Sequence, residues 1–435
     1  MTGTQTLLAR GVLGIVAASA GLIAVSVKRF QTGSSRSFDC LANATFLVSR
    51  LGLYVLLFFV LHLAPRGDIP AYYFPEASAA IHGALPYLDI PSSYAPLHPY
   101  MDGAAIWLWR SPLAIVLLAI LFEAVLLPVW LKLGRELFSE QCVRTAAMLY
   151  IASPISLQFV AVDGQDNVIV ALLLALAILS LVKKREAISG ALLALGVVCI
   201  KFLPLLYFPV YVLAARRRLR WLFGSAGVLA AGYGGFALLH VPLLYPLIRE
   251  GDLKTASNLP YIIESIFGSA ISLRMSDGLL VVILVVILAL IALALRQASQ
   301  VCRLRILIFG VAALTLALLA VSKKSWPPYL MYSLFPISLL VAEGSHRRLR
   351  LGAFAFFSVN TVVVHSFWAT VFSQALGPEM HRFLLARDPA ALVFLALQLL
   401  VVAGYLWLFV EAMRHIVGGG HRPQSGVGRD AGLVA

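Results

Sequence analysis

Charge is what this sequence has least of: Asp, Glu, Lys and Arg together make up 12% of its 435 residues, against about a quarter in a soluble domain. With 61% hydrophobic residues and a mean hydropathy of +0.91, the chain lacks the polar surface that water requires. Cysteine is nearly absent. The four present (Cys40, Cys142, Cys199, Cys302) have no redox or metal-ligand spacing, which argues against a disulfide framework and a thiolate metal centre. His62, His82, His98, His240, His365 and His381 are scattered, so neither a metal nor a cofactor is expected. Acidic residues are also few, leaving a net charge of +14. The basic residues form short clusters between apolar runs instead of one face or tail, so membrane topology explains them and no nucleic-acid partner is expected. No internal repeat is visible, and the only biased stretch is the Gly-rich tail after Val417.

What the chain does have is runs long enough for a bilayer, which takes about 20 apolar residues per helix. They cover about 7–26, 42–63, 104–130, 145–162, 167–182, 188–215, 221–244, 278–295, 306–321, 329–342, 350–370 and 391–413. The first is followed directly by Lys28 and Arg29 without a clear cleavage site, as in a retained helix. The expected fold is an all-α polytopic membrane protein, a single bundle over 1–415 followed by a disordered cytoplasmic tail, 416–435. Placing the clusters at Lys28, Lys132, Lys183 to Arg185, Arg216 to Arg220, Arg303, Arg347 to Arg350 and Arg414 inside puts 22 of the 34 Lys and Arg in the cytoplasm, as the positive-inside rule demands. The run 188–215 has basic clusters on both flanks and is interrupted by Lys201-Phe202-Leu203-Pro204. Proline removes a backbone donor and disfavours helix in the residue before it, so two half-helices that rise and return are expected. The count is then about eleven full spans plus one broken hairpin, in the plasma (inner) membrane. Long outer loops follow at 64–103 and 245–277.

Most of the chemically useful side chains fall on the outer side. The first long loop holds Arg66-Gly67-Asp68, Tyr72-Tyr73, Gly83-Ala84-Leu85-Pro86-Tyr87-Leu88-Asp89 and Ser92-Ser93-Tyr94-Ala95-Pro96-Leu97. Asp68, a few residues past a span, is placed for a general base at the membrane surface; it also reads as a helix cap or a partner of Arg66. Asp89 either supports Asp68 or closes its own loop. Asp163 and Asp166 flank Gln165 just before Asn167, where sugar contact, support of a lysine and helix capping all remain open. Lys201 lies inside an apolar run, where an ionisable group is costly and a functional candidate by default; snorkelling or carboxylate pairing is the alternative. Lys323 and Lys324 break the positive-inside pattern beside Trp326 and Tyr329, as phosphate ligands or interfacial anchors. Arg249 is a further candidate cation. Glu123, inside a span, calls for a partner on a neighbouring helix.

In order and sidedness, these motifs resemble the C-type (GT-C) membrane glycosyltransferases. The nearest branch is the bacterial polyprenyl-phosphate-mannose-dependent mannosyltransferases. The likeness rests on Asp68 after an early span, Gly83-x-x-Pro86-Tyr87-x-Asp89, Tyr94-x-Pro96-Leu97, Gly164-Gln165-x-Asn167, Gly190 to Lys201-x-x-Pro204, and Ser325-Trp326-Pro327-Pro328-Tyr329, covering about 42–345. It implies a GT-C-like bundle that inverts configuration while moving a sugar, mannose first, from a polyprenyl phosphate to a lipid-linked or cell-envelope glycan on the outer face. Asp68 is then the base. Asp89, Tyr94, Asp163, Gln165, Asn167, Lys201, Arg249, Lys323, Lys324 and Tyr329 bind substrate, with cations stabilising the leaving phosphate. The sequence departs from the pattern in an additional first span and in Ala95, where the family tends to have proline. A transporter or lipid flippase is the alternative, although transporters usually show the repeats this chain lacks.

Overall fold

The computed structural model describes residues 3–344 and 346–418, apart from the side chains of Arg29 and Gln297. All regular secondary structure among them is helical. Among the described residues, eight helices are long and apolar enough to cross a membrane, nine if the pair Glu140–Ile151 and Pro154–Val162, bent by 40°, counts as one span. Helix Leu273–Gln297 shows why lipid is the solvent, since Val281, Val282, Val285 and Leu293 are each at least 57% exposed. That much apolar surface is stable only against hydrocarbon or another protein. The chain is a membrane protein.

About eleven full spans were expected, and the difference has local causes. Asn167–Val182, Glu186–Cys199, Leu203–Ala214 and Leu334–Glu343 are apolar but short. The run at 104–130 is two helices, His98–Leu108 and Leu113–Leu137, because Pro112 interrupts it and the Ser111 hydroxyl accepts from the Leu113 N–H at 3.2 Å. Arg110 therefore lies between helices and not on the span of Glu123. The run at 329–342 begins with a 3-10 turn, Pro327–Tyr332, set by its paired prolines. Ile416 to Gly418 close the last helix, and the rest of the expected tail, 419–435, lies outside the described residues.

The bundle wraps Gln300–Val321, which is buried almost throughout. One end carries the basic clusters and is laced by ion pairs such as Arg135 with Asp39 and Glu140. The other, here the loop end, carries 64–103 and 245–277. Glu123 meets Arg50 on the helix Ser35–Val55 at 3.6 Å, both fully buried, and Tyr150 and Ser156 also donate to Glu123. Four helices, Ser35–Val55, Leu113–Leu137, Glu140–Ile151 and Pro154–Val162, thus meet at one desolvated charge pair.

The segment 186–215 folds back on itself. Trp221 Nε1 donates to Ser189 Oγ at 3.1 Å and Tyr233 OH to the Val197 carbonyl at 3.0 Å. Glu186–Cys199 and Arg218–Leu238 therefore run parallel, both leaving the basic end, and the chain between must return there. The two helices touch closely: a Cβ on Gly190 would sit 2.1 Å from the Trp221 carbonyl oxygen, so only glycine fits. The break leaves the carbonyls of Val198 and Ile200 without helical partners. Leu97 N–H and Ala95 N–H donate to them, at 3.2 and 3.0 Å, which is the satisfaction that irregular backbone at depth requires.

Candidate functional site

A cavity of about 820 Å³ opens at the loop end, large enough for a sugar and a phosphate headgroup. The first helix, the first loop, the 163–167 turn, the hairpin tip and the 322–329 segment all contribute to its wall. Of the sequence candidates, Asp68, Tyr94, Asp163, Gln165, Asn167, Lys201, Lys324 and Tyr329 line it. Asp89, Arg249 and Lys323 do not. Asp89 accepts from the Leu85 N–H at 2.8 Å and closes its own loop. Arg249 is exposed on the short helix Tyr245–Glu250, where the 100° step between neighbours leaves Glu250 facing the cavity instead. Lys323 points the other way and pairs with Asp277 at 2.7 Å.

Asp68 is neither a cap nor a partner of Arg66. It occupies the position before the turn Ile69–Tyr73 without capping it, and its Oδ2 accepts from Gln165 Nε2 at 3.0 Å. That donor is oriented from behind. Tyr332 OH donates to Asn167 Oδ1 at 2.7 Å, which turns Asn167 Nδ2 to donate to Gln165 Oε1 at 3.3 Å and leaves the Gln165 amine aimed at Asp68. The relay determines which end of each amide carries the donor. The turn presenting Gln165 depends on Gly164, whose φ of 61° and 2.5 Å clearance from Ile69 Cδ1 would admit no side chain. Asp68 Oδ1 has no hydrogen-bond partner among the described residues. Burial pushes the Asp68 carboxyl up from its usual range, while the Gln165 bond and Lys201 pull it back. A base poised nearer neutrality suits proton abstraction better than one at its ordinary value.

Lys201, at the hairpin tip, pairs with Asp166 at 3.1 Å and lies 5.0 and 5.7 Å from the ring centres of Tyr94 and Tyr329. Of its sequence alternatives, carboxylate pairing is the one seen. Asp166 in turn lies 3.2 Å from His98 Nε2, which is also 3.7 Å from Asp102. His98, Asp102 and Asp166 are all buried, and His98 stacks on Tyr94 with centroids 4.5 Å apart. Burial pushes the Asp166 carboxyl up, but Lys201 and His98 outweigh it and hold it down at about 2. At Asp102 burial prevails over His98 and lifts the carboxyl to about 7. Lys324 contacts Glu250; burial and Lys201 lower its ammonium to about 7, with the Asp68 carboxylate acting against them.

Several residues in the wall or buried behind it escaped the sequence reading. His98 and Asp102 follow the Tyr94-Ala95-Pro96-Leu97 motif directly and sit i, i+4 on one helix, a spacing that places them side by side. Arg10 belongs to the first apolar run, where its charge alone was a signal. It reaches Asp163 at 2.6 Å, which explains why Asp163 caps nothing. Leu203, Leu205, Leu206, Leu247, Leu253 and Leu318 complete the wall; Leu205, Leu247 and Leu253 are more than 40% exposed, so the cavity continues into an apolar outer surface. No protein-family model matches this chain, and no curated protein matches it.

Proposed function

We propose that the chain is an inverting membrane glycosyltransferase that moves a sugar, mannose in the first instance, from a polyprenyl phosphate to a lipid-linked or cell-envelope glycan. The observation that carries the reading is Asp68: a carboxylate with one oxygen held by an oriented amide and the other unbonded, in a cavity that also holds Lys201 and Lys324 and runs out into exposed leucines. Such a wall suits a substrate that is part sugar, part phosphate and part hydrocarbon. In the reaction, Asp68 takes the proton of the acceptor hydroxyl as its oxygen bonds to the anomeric carbon from the face opposite the carrier. The bond from that carbon to the phosphate oxygen breaks, and its electron pair leaves with the polyprenyl phosphate. Lys201 and Lys324 offset the charge that collects there. The helices too short to span alone pass the bilayer in packed combinations with the hairpin, giving a GT-C-like bundle. The positive-inside rule places the cavity on the outer face of the plasma membrane. The clustering of polar groups at one end argues against a transporter, whose sites lie near the midplane between related halves.

The test is transfer of radiolabelled mannose from polyprenyl-phosphate-mannose to membrane glycolipids by the purified protein. Asp68→Asn is expected to bind donor normally and to transfer about 100- to 10,000-fold more slowly. Undiminished transfer by that variant, or none by the wild type with any polyprenyl-phosphate sugar, would sink the proposal.

A further inference from the structure

Four cations line the cavity: Arg10, Arg66, Lys201 and Lys324. Three already face carboxylates: Arg10 faces Asp163, Lys201 faces Asp166 and Lys324 faces Glu250. Arg66 forms no ion pair among the described residues; its guanidinium donates to Thr6 Oγ1 at 2.8 Å and is otherwise exposed. Two residues on, Asp68 is the wall carboxylate that no cation pairs with. Gly67, at a φ of 66°, turns the chain so that both side chains reach one cavity without forming an ion pair with each other. An arginine and a carboxylate left open so close together bracket a space. A ligand that completes both brings a hydroxyl to Asp68 and negative charge to Arg66.

Resting on the reading of Asp68 as the base, we infer that the acceptor is anionic, with a phosphate or phosphodiester close to the hydroxyl that is glycosylated, and that Arg66 receives it. The planar guanidinium fork matches phosphate oxygens two at a time. The side is fixed by stereochemistry. In an inverting displacement the base and the leaving phosphate lie on opposite faces of the transferred carbon, so a cation two residues from the base belongs to the acceptor. Arg66 therefore selects the acceptor without contacting the donor phosphate.

The experiment uses the full chain in nanodiscs with two probes of equal chain length, dodecyl α-mannoside and its 6-phosphate, at varied donor concentration. The wild type is expected to favour the charged acceptor by about tenfold or more in kcat/KM. Arg66→Gln should lose that preference through the KM of the charged acceptor while leaving the KM of the donor and use of the neutral acceptor unchanged, and Arg66→Lys should recover part of it. Equal use of both acceptors by the wild type, or a raised donor KM in Arg66→Gln, overturns the inference. Binding of the same probes to the Asp68→Asn protein, read by tryptophan fluorescence because Trp326 and Trp368 line the cavity, needs no turnover. Equal binding of the two probes overturns the inference on its own. An anion preference that depends on Arg66, with no sugar transfer under any condition, instead refutes the transferase reading and leaves Arg66 as an anion site. Because Arg66 is exposed and makes one hydrogen bond, an unchanged Tm in Arg66→Gln separates loss of binding from loss of fold.

Discussion

Replacing Gln165 with methionine keeps the length of the side chain and removes the donor that holds Asp68 Oδ2. The bond is 3.0 Å long and ends on a carboxylate, a type that contributes about 1.5–3 kcal/mol. Nearly all of it stabilises the ionised form, and one pH unit corresponds to about 1.4 kcal/mol; the Asp68 carboxyl should therefore rise by about one to two pH units. The sign follows from the role. A base must be ionised, so the acid limb of kcat/KM against pH moves upward. On the acid side of that limb transfer falls by about 10- to 100-fold, and raising the pH restores much of it. Asn167→Leu, which cuts the relay one step back, should move the limb in the same direction by less. The assay is sugar transfer measured from pH 5 to pH 9 on the wild type and both variants. A limb that stays in place while the rate falls at every pH would refute the reasoning, because Gln165 would then be acting on the substrate and not on the base.

Two further outcomes follow from the buried charges. Asp102, lifted to about 7 by burial, is protonated below that pH and ionised above it. The cluster behind Lys201 thus carries one more positive charge on the acid side, and the donor KM should rise as pH climbs through 7; Asp102→Asn should flatten that dependence, and an unaltered profile would exclude the coupling. Glu123→Gln leaves Arg50 buried without its counter-charge, for a loss of about 3–5 kcal/mol. The double change Arg50→Met with Glu123→Leu removes both charges and should lower the Tm less than either single change, measured by thermal unfolding in detergent.

The parts of the fold legible in the sequence were those written in long apolar runs and in prolines. Lys201-x-x-Pro204 announced the broken segment because a proline and a charge inside an apolar run both oppose a plain span. The boundary at Arg110-Ser111-Pro112 was hidden by the apolar stretches beyond it on either side, and periodicity cannot separate a surface helix such as His98–Leu108 from the start of a span. In the site, Asp68, Gln165, Lys201 and Lys324 were readable because each is a polar residue where composition does not favour one. Arg249 and Lys323 met the same criterion, but helix phase and a local partner, which sequence spacing does not encode, turned them away. His98 and Asp102 were missed because a histidine and an aspartate in a polar loop are unremarkable until tertiary contact buries them.

The hydrogen bonds from Ala95 and Leu97 to the hairpin tip carry a consequence for how the molecule is made. Two carbonyls at the tip find their donors in a loop that the chain reaches about a hundred residues earlier, and until that loop stands on its own side of the membrane the hairpin has nothing to close on. Insertion is therefore ordered: the second helix must cross and deliver residues 64–103 first, and only then can residues 186–215 settle between their neighbours. A change that delays the loop would leave the hairpin without its polar partners, a substrate for quality control, even where every cavity side chain is intact.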